Sequence, residues 1–251
     1  MTNDDVTYTR PHPAKYSDTV LAAGRLLLEK YGLFEVTDPV DGTQALDPLA
    51  GTLKIADAIP ELEWTGIEIE KEWANHDERT VHGDCIEVMR AWKREHPWAK
   101  FKVIFVSPAY GNRMADPMLP GVGAGRKYTY NTYTFKLGRL LSKRNGAQYV
   151  FHRKASGAKY KKLHVQIWRA AVDVLEDGGY FLLNVSDYLC KDYANPIAVT
   201  DWHVGVLTRM GLVELERVAV DTPRNREGAN ADQRVAHEWV IVFRKPAQEI
   251  H

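Results

Sequence analysis

The chain is poor in cysteine and has no long apolar run. Its 251 residues include only two cysteines, Cys85 and Cys190, which are too few for a disulfide framework and lack the spacing of zinc ligands. No apolar stretch approaches the roughly 18 residues that a bilayer-spanning helix needs, and the polar first ten residues do not resemble a signal peptide. We expect a soluble intracellular protein without a metal site, and a cytoplasmic location is compatible with this.

The chain also lacks net charge, since it has 33 basic and 33 acidic residues. This neutrality is a cancellation, because residues 111–162 hold twelve Lys or Arg against a single acid, Asp116, and the remainder carries a net charge of −11. Aromatic residues are interleaved with these basic residues: Tyr128, Tyr130, Tyr133, Phe135, Tyr149, Phe151 and Tyr160. Positive charge with rings between is typical of a surface that binds a polyanion with stackable bases. The alternative is a solvated loop that the acidic remainder balances.

The candidate nucleic-acid contacts are basic residues of this segment and of a second Arg-rich loop, residues 222–234. They are Arg113, Arg126, Lys127, Arg139, Lys143, Arg144, Arg153, Lys154, Arg224 and Arg226. Such side chains can contact phosphates or base edges. Because connections of this length are usually functional or disordered, we interpret residues 111–160 as an insertion that contacts nucleic acid, within a single domain of residues 1–251.

Short apolar strands alternate with helical patterns between about residues 44 and 209, which predicts a parallel sheet built from βαβ units. The predicted strands are residues 44–47, 64–68, 80–81, 102–107 and 180–184, and the predicted helices are residues 18–31, 53–59, 86–95, 161–175 and 198–210. Two more strand-like runs, 212–220 and 238–245, predict a C-terminal hairpin antiparallel to the rest. The predicted fold class is therefore α/β: a doubly wound, mostly parallel, seven-stranded Rossmann-like sheet with an antiparallel C-terminal hairpin. His164, Trp168 and His203 are interpreted as core packing on helix faces.

The most apolar predicted strand ends in a motif that suits chemistry. Residues 103–106 form a run typical of a central strand that is buried on both faces, and Ser107-Pro108-Ala109-Tyr110 follows it directly. Because proline ends the strand pairing, Tyr110 is predicted at the carboxyl end of the strand, where open α/β sheets bind ligands. The alternative interpretation is a plain strand-terminating turn.

Acidic residues follow three successive predicted strands. Asp47 opens the turn Asp47-Pro48-Leu49-Ala50-Gly51-Thr52, Glu68 ends the second strand about twenty residues later, and Asp84 follows the third. Glycine in such a turn allows a close approach to a ligand, and an acid at the end of the second strand is the usual partner of ribose hydroxyls. Three acids fit a nucleoside and do not fit a pyrophosphate, which requires positive charge. Each acid alone is more often a cap or a surface residue.

Together these motifs resemble the amino-directed DNA methyltransferases, which methylate N6 of adenine or N4 of cytosine with S-adenosylmethionine. The turn of residues 47–52 resembles the Asp-Pro-Phe-Ala-Gly-Ser-Gly loop of that family, and residues 107–110 resemble its Ser-Pro-Pro-Tyr catalytic motif. Residues 178–184 resemble the glycine turn and fifth strand of the methyltransferase core. Residues 110–116 and 228–231 resemble a compact branch found in actinobacteria and their phages, in restriction-modification systems or as orphan methylases.

The resemblance implies the residues of the site. The catalytic residues would be Ser107, Pro108 and Tyr110, and the residues that bind S-adenosylmethionine would be Lys15, Tyr16, Asp47, Pro48, Ala50, Gly51, Thr52, Glu68, Ile69, Asp84, Cys85 and Ser107. Lys15 and Tyr16 belong to a segment similar to the one around the methionine end of the cofactor. Glu68 resembles the ribose acid, and Asp84 the adenine-side acid. The implied partner is DNA, recognised through a short sequence or with a second copy of the chain in a homodimer.

Two positions depart from the family pattern. Leu53 stands where the family loop usually has a second glycine, and Ala109 stands where the catalytic motif usually has a second proline. We expect Leu53 to reshape the cofactor loop slightly. We expect Ala109 to loosen the turn that presents Ser107 and Tyr110, because proline would fix φ and restrict the unfolded chain.

The implied mechanism depends on the chemistry of an exocyclic amine, which is a poor nucleophile because its lone pair is delocalised into the ring. We expect the Ser107 hydroxyl oxygen and the Pro108 carbonyl to accept the two amine hydrogens while Tyr110 stacks on an extruded base. Serine in the first motif position resembles cytosine-N4 enzymes more often than adenine-N6 enzymes, which favours cytosine slightly. The alternatives are an RNA or protein amide methyltransferase on the same core and a catalytically silent nucleic-acid-binding relative.

Overall fold

Strands and helices alternate along the part of the chain that the structure describes. This computed structural model describes residues 16–34, 44–98, 100–111, 133, 137, 139–190, 193–221 and 235–247. The strands are β1 Gln44–Asp47, β2 Glu63–Glu68, β3 Thr80–His82, β4 Phe101–Val106, β5 Leu175–Val185, β6 Val213–Asp221 and β7 His237–Arg244. The helices are α1 Asp18–Lys30, α2 Lys54–Ala58, α3 Lys71–Ala74, α4 Cys85–Glu95, α5 Lys154–Val174 and α6 Val199–Arg209, with a 3-10 turn at Gly146–Gln148.

The strands form a seven-stranded sheet in the order β3-β2-β1-β4-β5-β7-β6. Strands β1 to β5 pair in parallel, and β7 pairs antiparallel with both β5 and β6. The predicted α/β class, with its antiparallel C-terminal hairpin, is therefore confirmed. The prediction that both hairpin strands oppose the sheet is wrong for β6. This strand runs in the same direction as β1 to β5, because α6 carries the chain back across the sheet before β6 begins.

The strand order reverses between β1 and β4. The chain builds outward from β1 through β2 to β3, then returns to place β4 on the other side of β1. In open α/β sheets, ligands bind in the crevice at the carboxyl ends of the strands at such a switch point. Asp47 ends β1 and Ser107 directly follows β4, so both residues flank this crevice.

Two apolar layers cover the sheet, one on each face. Along β4 the side chains alternate, so that Val103 and Phe105 pack with α1 and α2, whereas Ile104 and Val106 pack with α4, α5 and α6. All four side chains are fully buried, which confirms the prediction of a central strand covered on both faces. Helix α1 approaches β4 so closely that a Cβ on Gly24 would lie 2.2 Å from a ring carbon of Phe105.

Several element bounds differ from the prediction. Helix α5 begins at Lys154 rather than at residue 161, which shortens the connection that follows β4. Strand β5 begins at Leu175 rather than at residue 180, because its glycine pair lies within the strand. The sequence does not predict α3, since a single helical turn shows no periodicity. Across the described ranges, no helix combines the length and the apolar character that crossing a membrane requires.

Candidate active site

Asp47 closes β1 in the interior of the protein. Its side chain is fully buried, where Oδ1 accepts a hydrogen bond from the Leu49 amide at 3.0 Å and Oδ2 accepts one from the Tyr16 hydroxyl at 2.9 Å. Burial raises the pKa of Asp47 to about 7, although both hydrogen bonds favour the ionised carboxylate. The Tyr16 hydroxyl also lies 3.4 Å from the carbonyl oxygen of Phe105. It therefore bridges the ends of the two central strands.

Residues 47–53, which we name the acidic turn, leave β1 through left-handed backbone. Gly51 has φ +57° and Leu53 has φ 52°, a region that favours glycine. For leucine this conformation costs about 1 kcal/mol, which the complete burial of its side chain offsets. Leu53 thus adopts the conformation that a glycine would favour at this position. Three other predicted cofactor residues lie in this turn: Pro48 and Ala50 are buried, whereas Thr52 is half-buried.

Glu68 closes β2 and faces the acidic turn. Its Oε2 accepts a hydrogen bond from the Gly51 amide at 3.0 Å, and its Oε1 accepts one from the Glu70 amide at 2.8 Å. Burial raises the pKa of Glu68 to about 8, and the charges of Glu70 and Asp47 act in the same direction. The protonated form therefore predominates near neutral pH, and a ligand that donates hydrogen bonds to this carboxyl group would favour its ionisation. Ile69, the next predicted cofactor residue, is half-buried.

Asp84 is the N-cap of α4. Its Oδ1 accepts a hydrogen bond from the Ile86 amide at 3.0 Å, and its Oδ2 pairs with the Arg144 guanidinium at 3.0 Å. The interpretation of this acid as a helix cap is therefore confirmed, and the same residue lies at the carboxyl end of β3. Cys85 beside it is buried, and burial raises the pKa of its thiol far above the usual value.

A third buried carboxylate, Glu70, holds part of the insertion against this edge of the sheet. Glu70 is fully buried, and it accepts hydrogen bonds from the amide and the hydroxyl of Ser142, each at 2.8 Å, and from the side chain of Asn145 at 2.9 Å. Arg139 pairs with it at 2.9 Å. Residues 139–148 are thereby held against the end of β2. Sequence reasoning misses Glu70, because it lies in a stretch of alternating charge that is typical of a solvated surface.

The segment after β4, residues 107–111, is named the corner. Ser107 Oγ lies 3.2 Å from the Tyr110 hydroxyl, which in turn lies 3.1 Å from Asn184 Oδ1 and 3.2 Å from Glu238 Oε2. Because a phenol has one hydrogen, Tyr110 donates to one of these acceptors and its oxygen can accept the hydrogen of Ser107. Lone pairs of the Ser107 oxygen are then available to an incoming donor. Pro108 is buried, whereas Ser107 and Tyr110 are half-buried.

Asn184 and Glu238 complete the corner from two other strands. Asn184 is buried at the end of β5, and its Nδ2 donates to Glu238 Oε2 at 3.3 Å and to the Trp239 carbonyl at 3.2 Å. Since β7 runs antiparallel to β5, its first residues meet the carboxyl ends of β4 and β5. Sequence reasoning misses Glu238. The available signal is its position at the start of a strand predicted to oppose the sheet.

Tyr16 joins the acidic turn to the corner. Burial raises the pKa of the Tyr16 hydroxyl well above its usual value and Asp47 adds to this, while the backbone N–H of Ser107 lies close enough to act in the opposite direction. The ring packs edge-on against Phe105, with centroids 5.4 Å apart. The structure therefore brings the predicted turn, Tyr16 and the corner together at one edge. Lys15 lies outside the described residues.

The predicted nucleic-acid contacts fall into three groups. One group lies outside the described residues: Arg113, Arg126, Lys127, Arg224 and Arg226. A second group is held in ion pairs, where Arg139 contacts Glu70 and Glu72 and Arg144 contacts Asp84 and Glu87. The third group, Lys143, Arg153 and Lys154, is at least partly exposed. Arg139 and Arg144 thus fasten the insertion to the sheet edge.

An exposed surface on the first turns of α5, named the basic face, consists of Arg153, Lys154, Lys159, Lys161 and Lys162. None of the ion pairs found among the described residues includes one of them. Lys161 Nζ lies 4.6 Å from the centre of the Phe151 ring, over its face. The expectation that the interleaved aromatic residues stack on bases is wrong for Tyr133 and Tyr160, because both are buried in the core.

A scan against models of protein families finds no match, and a search of curated proteins finds none either. Matching solved structures include TrmN from Thermus thermophilus, with a TM-score of 0.45 and 16% sequence identity. The alignment covers 92% of this chain and 50% of TrmN, so the chain spans about half the length of TrmN. An S-adenosylmethionine-dependent methyltransferase from Clostridium acetobutylicum aligns over 94% of each chain, with a TM-score of 0.48 and 10% identity. A second Thermus thermophilus protein, provisionally identified as a DNA modification methylase and complexed with S-adenosyl-L-methionine, aligns over 67% of this chain and 56% of its own, with a TM-score of 0.41 and 16% identity.

Proposed function

We propose that the chain is an S-adenosylmethionine-dependent methyltransferase that methylates an exocyclic amino group of a base in DNA. The observation that carries the proposal is the adjacency of the acidic turn and the corner: the Tyr16 hydroxyl contacts Asp47 in the turn and the carbonyl of Phe105, two residues before the corner. A cofactor site and a motif suited to an amine therefore share the switch point of the sheet. The resemblance of Ser107 to the first motif position of cytosine-N4 enzymes favours N4 of cytosine slightly over N6 of adenine.

The acids at the ends of β1, β2 and β3 fit S-adenosylmethionine better than they fit a nucleotide phosphate. Asp47 and Glu68 are buried carboxyl groups, and Asp84 lies at the next strand end, so a phosphate would meet carboxyl oxygens where it needs hydrogen-bond donors and positive charge. Ribose hydroxyls and a positively charged ligand find acceptors there instead. In this proposal Glu68 holds the ribose, Asp84 lies on the adenine side, and Tyr16 lies on the methionine side. When bound, the cofactor supplies an electrophilic methyl group on a positively charged sulfur.

The corner orients the amine and accepts hydrogen bonds from its two hydrogens. Ser107 gives its own hydrogen to the Tyr110 oxygen, 3.2 Å away, so that its lone pairs face the amine. The Pro108 carbonyl accepts the second amine hydrogen, which makes the nitrogen lone pair available for attack. Tyr110, whose hydroxyl donates its one hydrogen to Asn184 or to Glu238, presents its ring to the extruded base. Stacking contributes about 1 to 3 kcal/mol against an extrusion cost of a few kcal/mol.

The basic face supports a nucleic-acid substrate. Its five cationic side chains are exposed at the start of one helix, α5. The segment just before this helix contacts the corner, because the Phe151 amide donates to the Gly111 carbonyl at 2.7 Å. If each neutralises one phosphate of a duplex, the logarithm of the binding constant falls with the logarithm of salt concentration at a slope of about −4 to −5. Duplex DNA therefore should bind tightly at low salt and weakly near physiological salt.

The test uses methyl-labelled S-adenosylmethionine with DNA, RNA and protein acceptors in separate incubations. We expect the label in DNA, recovered as N4-methylcytosine after hydrolysis to nucleosides. Ser107→Ala should lower turnover by a factor of about 100 to 1,000, the usual effect of removing one oriented polar group from a reacting centre. Thr19→Ala, which removes an exposed hydroxyl from α1, is the matched control and should leave turnover unchanged.

Three outcomes contradict the proposal. Label in RNA or in protein alone would assign the same site to the alternative substrates. No label, together with no binding of S-adenosylhomocysteine by calorimetry, would identify a catalytically silent relative. Wild-type turnover by Ser107→Ala would remove the corner from the mechanism.

A further inference from the structure

Two tyrosines hold the carbonyl groups on either side of Tyr110. Tyr160, on α5, donates its hydroxyl hydrogen to the Ala109 carbonyl at 2.7 Å. Tyr188, in the segment after β5, donates to the Gly111 carbonyl at 3.2 Å. Both side chains are buried, with 0% and 6% of their surfaces exposed. The peptide units before and after Tyr110 are therefore fastened to two separate elements of the core.

The first tyrosine belongs to a buried chain of hydrogen bonds with only one possible direction. Trp168 Nε1 lies 2.9 Å from His203 Nδ1, and His203 Nε2 lies 2.9 Å from the Tyr160 hydroxyl. An indole N–H can only donate and a carbonyl can only accept, so the hydrogens run from Trp168 to His203, to Tyr160 and to Ala109. His203 is thereby fixed as the neutral ring with its hydrogen on Nε2. Burial lowers the pKa of His203 well below its usual value, which agrees with a neutral ring.

The second tyrosine, Tyr188, also accepts a hydrogen bond from a histidine. Because the hydroxyl hydrogen of Tyr188 goes to the Gly111 carbonyl, His152 Nδ1, which lies 2.8 Å from the phenol oxygen, must donate to it. The other ring nitrogen, Nε2, then faces the thiol of Cys190 at 3.7 Å. The Gly111 carbonyl also accepts from the Phe151 amide at 2.7 Å. Two independent tyrosine–histidine pairs thus end on the backbone of the corner.

The backbone of the corner at Gly111 has an unusual conformation, which these hydrogen bonds to its carbonyl groups help to hold. Its φ is +72°, in the left-handed region, and a Cβ there would lie 2.7 Å from Cβ of Phe151. This backbone is therefore pressed against the segment before α5. Ala109, one residue before Tyr110, does not have the fixed φ that a proline would supply. The carbonyl contacts restrain the same backbone from outside.

We propose that Tyr160 and Tyr188 are positioning residues for the reaction, which hold the corner so that Ser107 and Tyr110 face the base. The inference rests on the proposed function for its effect on turnover, but the restraint itself is a property of the free protein. The restraint takes the place of the second proline that the corner lacks.

The test compares Tyr160→Phe and Tyr188→Phe with the wild-type chain. Each change removes one phenol oxygen and keeps the ring. Tyr31→Phe is the matched control, since its phenol bonds to Glu216 at 3.0 Å on the opposite face of the sheet. We expect each variant to lower kcat about tenfold with little change in KM for DNA or in the affinity for S-adenosylhomocysteine. We also expect backbone amides of residues 109–111 to exchange hydrogen about tenfold faster in the free protein.

A rescue distinguishes positioning from general packing. Ala109→Pro added to Tyr160→Phe should restore most of the lost kcat, because proline restricts the same backbone covalently. Loss of kcat without this rescue would overturn the assignment of Tyr160. Wild-type exchange and wild-type kcat in both phenylalanine variants would overturn the whole proposal, and Tyr188→Phe alone would decide it if Tyr160→Phe did not fold. If the wild-type chain methylated nothing, the proposed function would fail while the exchange rates still decided whether the two tyrosines restrain the corner.

Discussion

If Glu68 holds the ribose as we propose, binding of S-adenosylhomocysteine, the product of the cofactor, should tighten as pH rises, because the ionised carboxylate is the form that accepts both ribose hydroxyls. Its buried carboxyl has a pKa of about 8 in the free protein, so at about pH 7 roughly one tenth of the molecules carry the ionised form. Selecting that form costs about 1.4 kcal/mol, equivalent to a tenfold loss of affinity. At about pH 8.5 roughly three quarters are ionised, and the dissociation constant of S-adenosylhomocysteine should therefore be about eightfold lower than at about pH 7.

The assay is isothermal titration calorimetry across this pH range in buffers of different ionisation enthalpy. At about pH 7 each complex should release roughly 0.9 proton. Glu68→Gln should bind more weakly and with little dependence on pH, whereas Asp47→Asn separates any contribution of the neighbouring acid. A wild-type dissociation constant that stays level between about pH 6 and 8.5, or an equal dependence in Glu68→Gln, would refute the reasoning.

The same shift has a consequence for the stability of the free protein. The folded pKa of Glu68 lies above its ordinary value of 4.5, so the folded state keeps a proton that the unfolded chain releases. The protonated Glu68 carboxyl therefore makes its full contribution to the free energy of unfolding below about pH 4.5, and this contribution is lost as pH rises through about 8. Urea unfolding of the wild-type chain should therefore lose stability over this range relative to Glu68→Gln.

Two further predictions concern the acidic turn and the basic face. Leu53→Ala should lower the free energy of unfolding by about 2 to 4 kcal/mol, because it removes a buried side chain. Leu53→Gly should be as stable as the alanine variant or up to about 1 kcal/mol more stable, because glycine relieves the left-handed strain. A glycine variant clearly less stable than the alanine variant in urea unfolding would contradict this. Replacing Lys161 and Lys162 by glutamine should reduce the salt slope of DNA binding by about 2, whereas Lys30→Gln, on the opposite face of the sheet, should leave the slope unchanged in titrations followed by fluorescence anisotropy.

The sequence predicts well which strands carry the site and where they end, because the local pattern of apolar and turn-forming residues determines both. Residues 44–47 form a short run that the Asp-Pro turn ends, and β1 has those bounds. The apolar run 103–106 is typical of a strand buried on both faces, and β4 ends directly after it, which places Ser107 at the strand end. The ends of parallel strands meet at one edge, so the nearness of Asp47 and Glu68 also follows from the order of the elements.

The rest of the site depends on contacts between distant parts of the chain. Glu238 reaches Tyr110 through the pairing of β5 with β7, and no local pattern reveals that register. His203 is interpreted as core packing from the sequence, and it is indeed buried, but its hydrogen bonds to Trp168 and Tyr160 become visible only once α5 and α6 are packed together. Buried polar groups of this kind satisfy one another across elements, which a one-dimensional pattern does not record.

The most direct test of the central claim is a pair of measurements on two variants, turnover on DNA and affinity for S-adenosylhomocysteine in Ser107→Ala and Glu68→Gln. If the corner and the acids at the ends of β1 and β2 form one site with separate tasks, Ser107→Ala should lose turnover by a factor of about 100 or more with a much smaller loss of product affinity, whereas Glu68→Gln should lose product affinity first. Wild-type turnover in Ser107→Ala at saturating DNA, or unchanged product affinity in Glu68→Gln, would contradict the account.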